Sequence, residues 1–472
     1  MVGFRKLHAA GLLLLSIAVA PVSAETLRDI YELALNNDAQ LKAQAAQYRA
    51  DLELENLALA PLLPQASAGV STGNSDADTV QSRTLYSENL GGLISLDSNS
   101  RSNTDTDSWD VSLSQKLFDL SAWYSWKAGE ESANQAEATF AAATQNLIVR
   151  VAEAYFSVLR AQDNLQAAEA RERALSRQLE QTRQRFEVGL IAITDVYEAE
   201  AARDLAEVTR IVEENNVAVA QERLSVLTGS RHGALFRLSE DFATQQPSPV
   251  DRDAWVDFAL ENNWSLKAAR FGEEAARQTA TSKRMGHAPT VTASYRYNDT
   301  ESAGVQTYQG DPLNYPNDSQ SVQESWQLRL DMPLYSGGAL SASRRRAAEQ
   351  FNAARENRIN LTRNTVTAAR SLHMTVMSDA ARVNARQQAI KSTQSALDAT
   401  TAGYEVGTRN IVDVLNAQNA VFAARRDYAN SRYDYIINML RLKENAGLLS
   451  PNDIGQLDDH LVAPPPATAS SR

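Results

Sequence analysis

The sequence predicts a mainly α, α+β fold: long coiled-coil helices interrupted by four strands per chain, in two tandem copies. Three observations predict it. Residues 130–188, 193–228, 339–402 and 410–446 contain neither glycine nor proline, so nothing in them breaks a helix. Within the longest of these segments apolar residues recur every 3.5 positions, the seam of a coiled coil. Two pairs of short segments instead alternate apolar and polar residues, the pattern of strands with one apolar face.

In chain order, Arg5 and Lys6 precede the apolar run 12–20, and Val22-Ser23-Ala24 offers small residues for processing, so residues 1–24 read as a secretory signal peptide. The run is too short to span roughly 30 Å of hydrocarbon as an anchor. No later stretch approaches a membrane-spanning helix, so the exported chain is expected to be soluble or inserted as strands. Loss of the leader takes the net charge from -12 to -14.

The remainder reads as a duplication of about 220 residues. Phe186-Glu187-Val188-Gly189 aligns with Tyr404-Glu405-Val406-Gly407, and Ile193-Thr194-Asp195-Val196 with Ile411-Val412-Asp413-Val414. Leu41-Lys42-Ala43 recurs as Leu266-Lys267-Ala268, and Trp109, Val111, Leu113 and Leu117 recur as Trp326, Leu328, Leu330 and Leu334. The first copy spans 25–246 and the second 247–450, with Pro247-Ser248-Pro249 at the seam. Each copy is expected to run helix, strand, polar loop, strand, long helix, tight turn, helix.

The coiled-coil seam of the first copy is Leu147, Val151, Ala154, Val158, Ala161, Leu165, Ala168, Glu172, Leu175, Leu179, Thr182 and Phe186; only Glu172 and Thr182 interrupt its apolar character. Leu361, Ala368, Leu372, Val376, Val383, Ile390, Leu397 and Tyr404 repeat it less cleanly. At about 1.5 Å per residue the longest helices reach roughly 90 to 100 Å, and such helices need a partner along their length.

Strands are expected near 65–73, 109–117, 289–298 and 325–333. Trp326, Leu328, Leu330 and Met332, for instance, alternate with Gln327, Arg329 and Asp331. The stretches 71–108 and 298–324, rich in Ser, Asn, Asp, Thr and Gly, are expected to be loops. Patterning alone also fits a sheet with one wet face in a soluble protein. The leader, the aromatic strand ends and polar loops on one side only fit an outer-membrane barrel. Four strands cannot close a barrel, since about eight is the lower limit, whereas a homotrimer supplies 12. Residues 230–252 are less regular and unassigned, and 451–472, with Pro464-Pro465-Pro466, are expected to be a disordered tail.

Composition excludes other classes. There is no cysteine, hence no disulfide framework, thiolate metal site or lipid-bearing cysteine. His232, His287, His373 and His460 fall in no ligand or triad spacing. With no phosphate-cradling glycine loop either, no catalytic residue, cofactor or metal is expected. Acidic residues outnumber basic ones by 58 to 46, which argues against a nucleic-acid partner.

Residues 185–196 (Arg-Phe-Glu-Val-Gly-Leu-Ile-Ala-Ile-Thr-Asp-Val) and 403–416 (Gly-Tyr-Glu-Val-Gly-Thr-Arg-Asn-Ile-Val-Asp-Val-Leu-Asn) resemble the TolC family of trimeric outer-membrane efflux and type I secretion ducts. Ala60-Pro61-Leu62-Leu63-Pro64-Gln65 and Pro333-Leu334-Tyr335-Ser336-Gly337-Gly338 match that family's transitions between helix and strand. The resemblance runs from about 25 to 450 and is nearer the family's namesake than its lipoprotein branch. It implies a 12-stranded outer-membrane barrel continued by a 12-helix periplasmic α-barrel whose lower end is closed at rest. The partners it implies are a periplasmic adaptor, an inner-membrane transporter of RND, ABC or MFS type, and outer-membrane lipid.

The resemblance also implies roles for particular residues. Tyr404 and Arg409 would lock the gate through Thr194 and Asp195, although Thr194 or Asp195 would equally serve as a helix cap. Asp413 would line the narrowest part of the tunnel; the family's second aspartate is Asn416 here, leaving one ring of charge. Val188, Gly189 and Leu190 with Val406, Gly407 and Thr408 would form the tip that docks the adaptor. A periplasmic structural coiled-coil protein without a channel is the rival reading.

Overall fold

The computed structural model describes residues 24–464; the leader and residues 465–472 lie outside the described residues. In order the elements are α1 (Leu27–Asn37), α2 (Ala39–Leu59), β1 (Gln65–Ser87), β2 (Gly92–Phe118), α3 (Leu120–Glu187), α4 (Ile193–Thr228), β3 (Arg237–Leu238) and α5 (Arg252–Asn262). There follow α6 (Trp264–Arg284), β4 (Thr290–Tyr308), β5 (Asn314–Pro316), β6 (Ser319–Asp331), α7 (Ala339–Glu405), α8 (Ile411–Asn445), α9 (Pro451–Asp458) and β7 (Leu461–Val462).

The first helix expected in each half is in fact two. α1 and α5 each have 11 residues, and α2 and α6 each have 21. The breaks fall at Asp38 and Asn263, whose backbones nearly coincide at φ, ψ of -58, 115 and -58, 118. Asp38 donates its N–H to Ala34 O at 2.8 Å and accepts from Leu41 N–H at 2.6 Å, closing one helix and opening the next with a single residue. No glycine or proline marks either break.

Two compact units form, each drawing on residues from both sides of position 247, so a boundary expected there does not divide the packing. The strand-bearing unit comprises 44–142 and 264–365. Its long strands lie in the order β1-β2-β4-β6, all antiparallel, and β5 adds a short pairing to the far end of β4. Directly paired residues share a face. One face carries the rows Leu113–Tyr295–Trp326, Val111–Tyr297 and Val70–Trp109, while Ser112–Arg296–Ser325 and Asp110–Asn298–Gln323 lie on the other. Trp109 packs on Tyr297 and Tyr295 on Trp326, with ring centroids 4.8 and 4.6 Å apart.

The stretches expected to be loops are largely strand. β1 and β2 pair without interruption from Gln65↔Ser114 to Ser87↔Gly92, and β4 continues to Tyr308. From Ser71 to Thr79 on β1 and from Ser100 to Ser108 on β2 the residues are almost all polar, and side chains bridge the strands: Asn74 to Asp105 at 2.7 Å, Asn103 to Asp76 at 2.5 Å, Arg101 to Asp78 at 2.7 and 3.0 Å. Register is held there by backbone pairing and polar cross-links, which leave no period-two signal.

The helical unit contains, of the described residues, 24–43, 143–263 and 366–464. Its core is the middle of α3, where Leu147, Val151, Tyr155, Phe156 and Val158 are fully buried. Both interruptions of the seam are satisfied: Glu172 accepts from Arg210 of α4 at 2.8 Å, and buried Thr182 donates to Gln178 O at 2.8 Å. The unassigned segment after α4 packs on this core, with Tyr155 donating to Phe236 O at 2.8 Å and β3 pairing with β7.

That pairing corrects the expected disordered tail, which is ordered through Val462. Ser450 and Asp453 form a capping box at the start of α9, Pro451 occupies its first turn, and Asp458 accepts the N–H groups of Leu27 and Arg28. The proline run that suggested disorder begins only at Pro464.

Candidate functional site

Two regions bear on function: the apolar band of the sheet and the ends of the two long helical hairpins. Across β2 the band extends from Trp109 to Phe118, ten residues, and continues on β4 and β6 through Val291, Ala293, Leu328 and Leu330. A strand tilted in a bilayer needs about 9 to 11 residues to cross it. Trp326 and Leu328 stand 81% and 70% exposed in the single chain, an apolar surface that water does not favour. No helix among the described residues is long and apolar enough to cross a membrane.

The α3–α4 connection is a Schellman-type turn. Gly189, at φ +75, donates to Phe186 O at 2.8 Å, and Leu190 donates to Arg185 O at 2.9 Å. The α7–α8 connection repeats it: Gly407, at φ +80, donates to Tyr404 O at 3.1 Å, and Thr408 donates to Gly403 O at 2.9 Å. The Thr408 hydroxyl donates to the same carbonyl at 3.0 Å, so its side chain finishes the turn. Around the glycines Val188, Leu190 and Val406 are 70%, 73% and 76% exposed, apolar side chains that the described residues leave uncovered.

Of the four residues expected to lock a gate, Tyr404 and Arg409 make no bond to Thr194 or Asp195 among the described residues. Tyr404 packs on Leu175, Ala206, Ile411 and Leu415 with Arg185 stacked 5.0 Å from its ring, and its hydroxyl is buried without a hydrogen-bond partner. Arg409 reaches Asp413 at 3.8 Å, and Thr194 donates to Asp195 at 3.4 Å. Neither Thr194 nor Asp195 caps α4 through its side chain: the N-cap is Ala192, and Asp195 lies in the first turn. There its charge still favours the helix N-terminus.

Asp413 has a local role that its spacing from Asn410 encodes. The Asn410 side chain accepts from Asp413 N–H at 2.8 Å and the Asp413 carboxylate accepts from Asn410 N–H at 3.4 Å, a capping box on α8. Asn416, one turn further on, is exposed. Sequence reasoning passed over Asn410 and Arg185; the first carries a polar N-cap with an acid three residues on, the second no local signal.

The polar, helix-rich chain thus carries its exposed apolar band on strands and not on a helix. The family profile for outer membrane efflux proteins matches residues 30–230 and 255–448. The chain belongs to this family and resides in the outer membrane. It is 35% identical to the outer membrane protein TolC of Escherichia coli, over 93% of this chain and 86% of the relative. It is 29% identical to the alkaline protease secretion protein AprF of Pseudomonas aeruginosa, over 91% and 85% of the two chains. The crystal structure of CusC superposes with a TM-score of 0.73 at 18% identity, covering 89% of this chain and 92% of that one.

Proposed function

We propose that the chain is one third of an outer-membrane exit duct for efflux and type I secretion, its three sheets closing a 12-stranded barrel. The observation that carries this is the pair of sheet edges left bare among the described residues: β1 pairs only with β2 there, and β6 only with β4. In hydrocarbon each unpaired edge group costs several kcal/mol, so a membrane-crossing sheet must close on itself or on copies of itself. The polar face bearing Ser112, Arg296 and Asp110 would then line water. The recurrence of paired 11- and 21-residue helices supports the tandem duplication.

The helices would continue the barrel into the periplasm as a 12-helix tunnel. The exposed Val188, Leu190 and Val406 support docking of a periplasmic adaptor at the hairpin tips, and that adaptor would couple the duct to an inner-membrane transporter. The unpaired Tyr404 hydroxyl and exposed Arg409 are available for links to Thr194 and Asp195 that the closed assembly would make and a docking partner would break. Asp413 would supply one ring of carboxylates and Asn416 a neutral ring beside it. The match to the outer membrane efflux family and the relative named for alkaline protease secretion support both cargo classes.

The cysteine-free chain permits a direct test. Cysteines placed in pairs along the β1 and β6 edges, oxidised in native membranes, are expected to yield covalent trimers for at least one register. Dimers or monomers at every register would overturn the proposal.

A further inference from the structure

Just past the strand ends, the strand-bearing unit gathers five cations that are unpaired among the described residues. Arg344, Arg345 and Arg346 are exposed on the second turn of α7, and Lys283 and Arg284 are exposed at the end of α6. The two helix ends abut: a Cβ on Gly286 would lie 3.2 Å from Leu340 Cδ2, and His287 Nδ1 is 3.2 Å from Pro333 O. Further along the same helices Arg358 binds Glu273, so Lys283 and Arg284 sit opposite the first turns of α7.

Several other basic residues of this unit are held by carboxylates. Lys116 pairs with Asp119, Lys127 with Glu130, and Arg277 with Glu274. The five have no hydrogen-bond or ion-pair partner among the described residues, and no acidic residue occurs in 275–289 or 332–348. On the strand side of the arginines, Leu334 and Tyr335 are 81% and 85% exposed. The sequence of surfaces from the sheet outward is thus apolar band, exposed Leu–Tyr, then unpaired cations. That is the order of a bilayer's core, its interface and its phosphate layer.

We propose that Lys283, Arg284 and Arg344–Arg346 bind the phosphates of anionic phospholipids in the leaflet on the helix side of the membrane. Guanidinium groups bind phosphate oxygens in bidentate fashion, and clustered cations beside an apolar surface select charged headgroups over zwitterionic ones. The inference rests on the barrel reading above.

The test uses the full-length protein purified in neutral detergent and followed by native mass spectrometry against cardiolipin and phosphatidylethanolamine. Wild type is expected to retain cardiolipin preferentially. The fivefold variant K283Q/R284Q/R344Q/R345Q/R346Q should retain it at least tenfold less, on the order expected for removal of several headgroup contacts. The R344K/R345K/R346K variant should keep part of the preference. Equal retention by wild type and the glutamine variant would overturn the proposal, as would displacement of cardiolipin by millimolar inorganic phosphate, which would mark a general anion site. Planar-bilayer conductance of both proteins separates the two readings: if neither inserts, the barrel reading itself fails; if both conduct, the lipid result stands alone.

Discussion

Replacing Asp38 with asparagine separates an ion pair from a helix cap at the α1–α2 break. The Asp38 side chain is 4% exposed and is met by the Arg150 guanidinium at 3.1 and 3.2 Å, while its Oδ1 accepts from Leu41 N–H. Asparagine keeps an oxygen for the cap, and Asn263 already stands at the equivalent break in the second half. Removing one partner of a buried pair costs about 3 to 5 kcal/mol. Because the Arg150 side chain stays 24% exposed and can rehydrate, we expect about 2 kcal/mol for Asp38→Asn. Asp38→Ala also loses the cap, adding about 1 kcal/mol.

Far-UV circular dichroism melts of the purified protein read the effect, with a fall of about 4 to 8 °C for Asp38→Asn if a body of this size loses about 2 to 4 °C per kcal/mol. The pH dependence supplies a second check. Burial alone would push the Asp38 carboxyl up, but the bonds from Arg150 and the backbone N–H groups outweigh it and hold the carboxyl below the ordinary range. A depressed folded-state pKa means stability that is present above the unfolded value, about 3.9, and is lost as pH falls through the folded one. The gap between wild type and Asp38→Asn should therefore close below about pH 4. Equal melting of the two proteins at neutral pH, or a gap constant down to acid pH, would refute the reasoning.

The other predictions concern the hairpin ends. Asn416→Asp should add a second carboxylate ring and increase cation selectivity and block in single-channel recordings; unchanged currents would argue against a constriction at this height. Gly189 has no atom within 4 Å of an added Cβ, so Gly189→Trp should be tolerated locally at the cost of the positive φ, about 1 kcal/mol. It should leave trimers intact on native gels while abolishing drug resistance in cells, and normal resistance would remove the tip from the docking surface. Asn410→Ala breaks the capping box and should cost about 1 kcal/mol. That cost is expected as faster hydrogen exchange confined to the first turn of α8, and protection equal to wild type would show that the cap is dispensable.

What the sequence disclosed follows from what leaves a periodic trace. Seam residues such as Leu147, Val151 and Leu175 are buried as their 3.5-residue spacing required. Trp326, Leu328 and Leu330 share a strand face as alternation required. The polar extensions of β1 and β2 were illegible because Asn74, Asp76 and Asp105 are typical loop residues, held in register only by partners some thirty positions away. The break at Asp38 escaped because one residue with an extended backbone hardly disturbs the apolar period. The order of α9 was encoded by Ser450, Pro451 and Asp453 but outweighed by the prolines after it. At the hairpin ends the glycine turns were readable, whereas the stacking of Arg185 on Tyr404 depends on tertiary packing alone.

The bare edges of β1 and β6 also bear on how the molecule is made. A protomer arriving singly at the membrane presents 23 residues of β1 with one side unsatisfied, a template for any other extended chain. Insertion and oligomer assembly are then hard to separate in time, and the yield of mature protein should depend steeply on the local supply of newly exported chains. In the proposed trimer, a defective copy that keeps one good edge would be built into the growing sheet and would spoil two sound neighbours, so mutations on a single edge should behave as dominant in cells that carry both alleles.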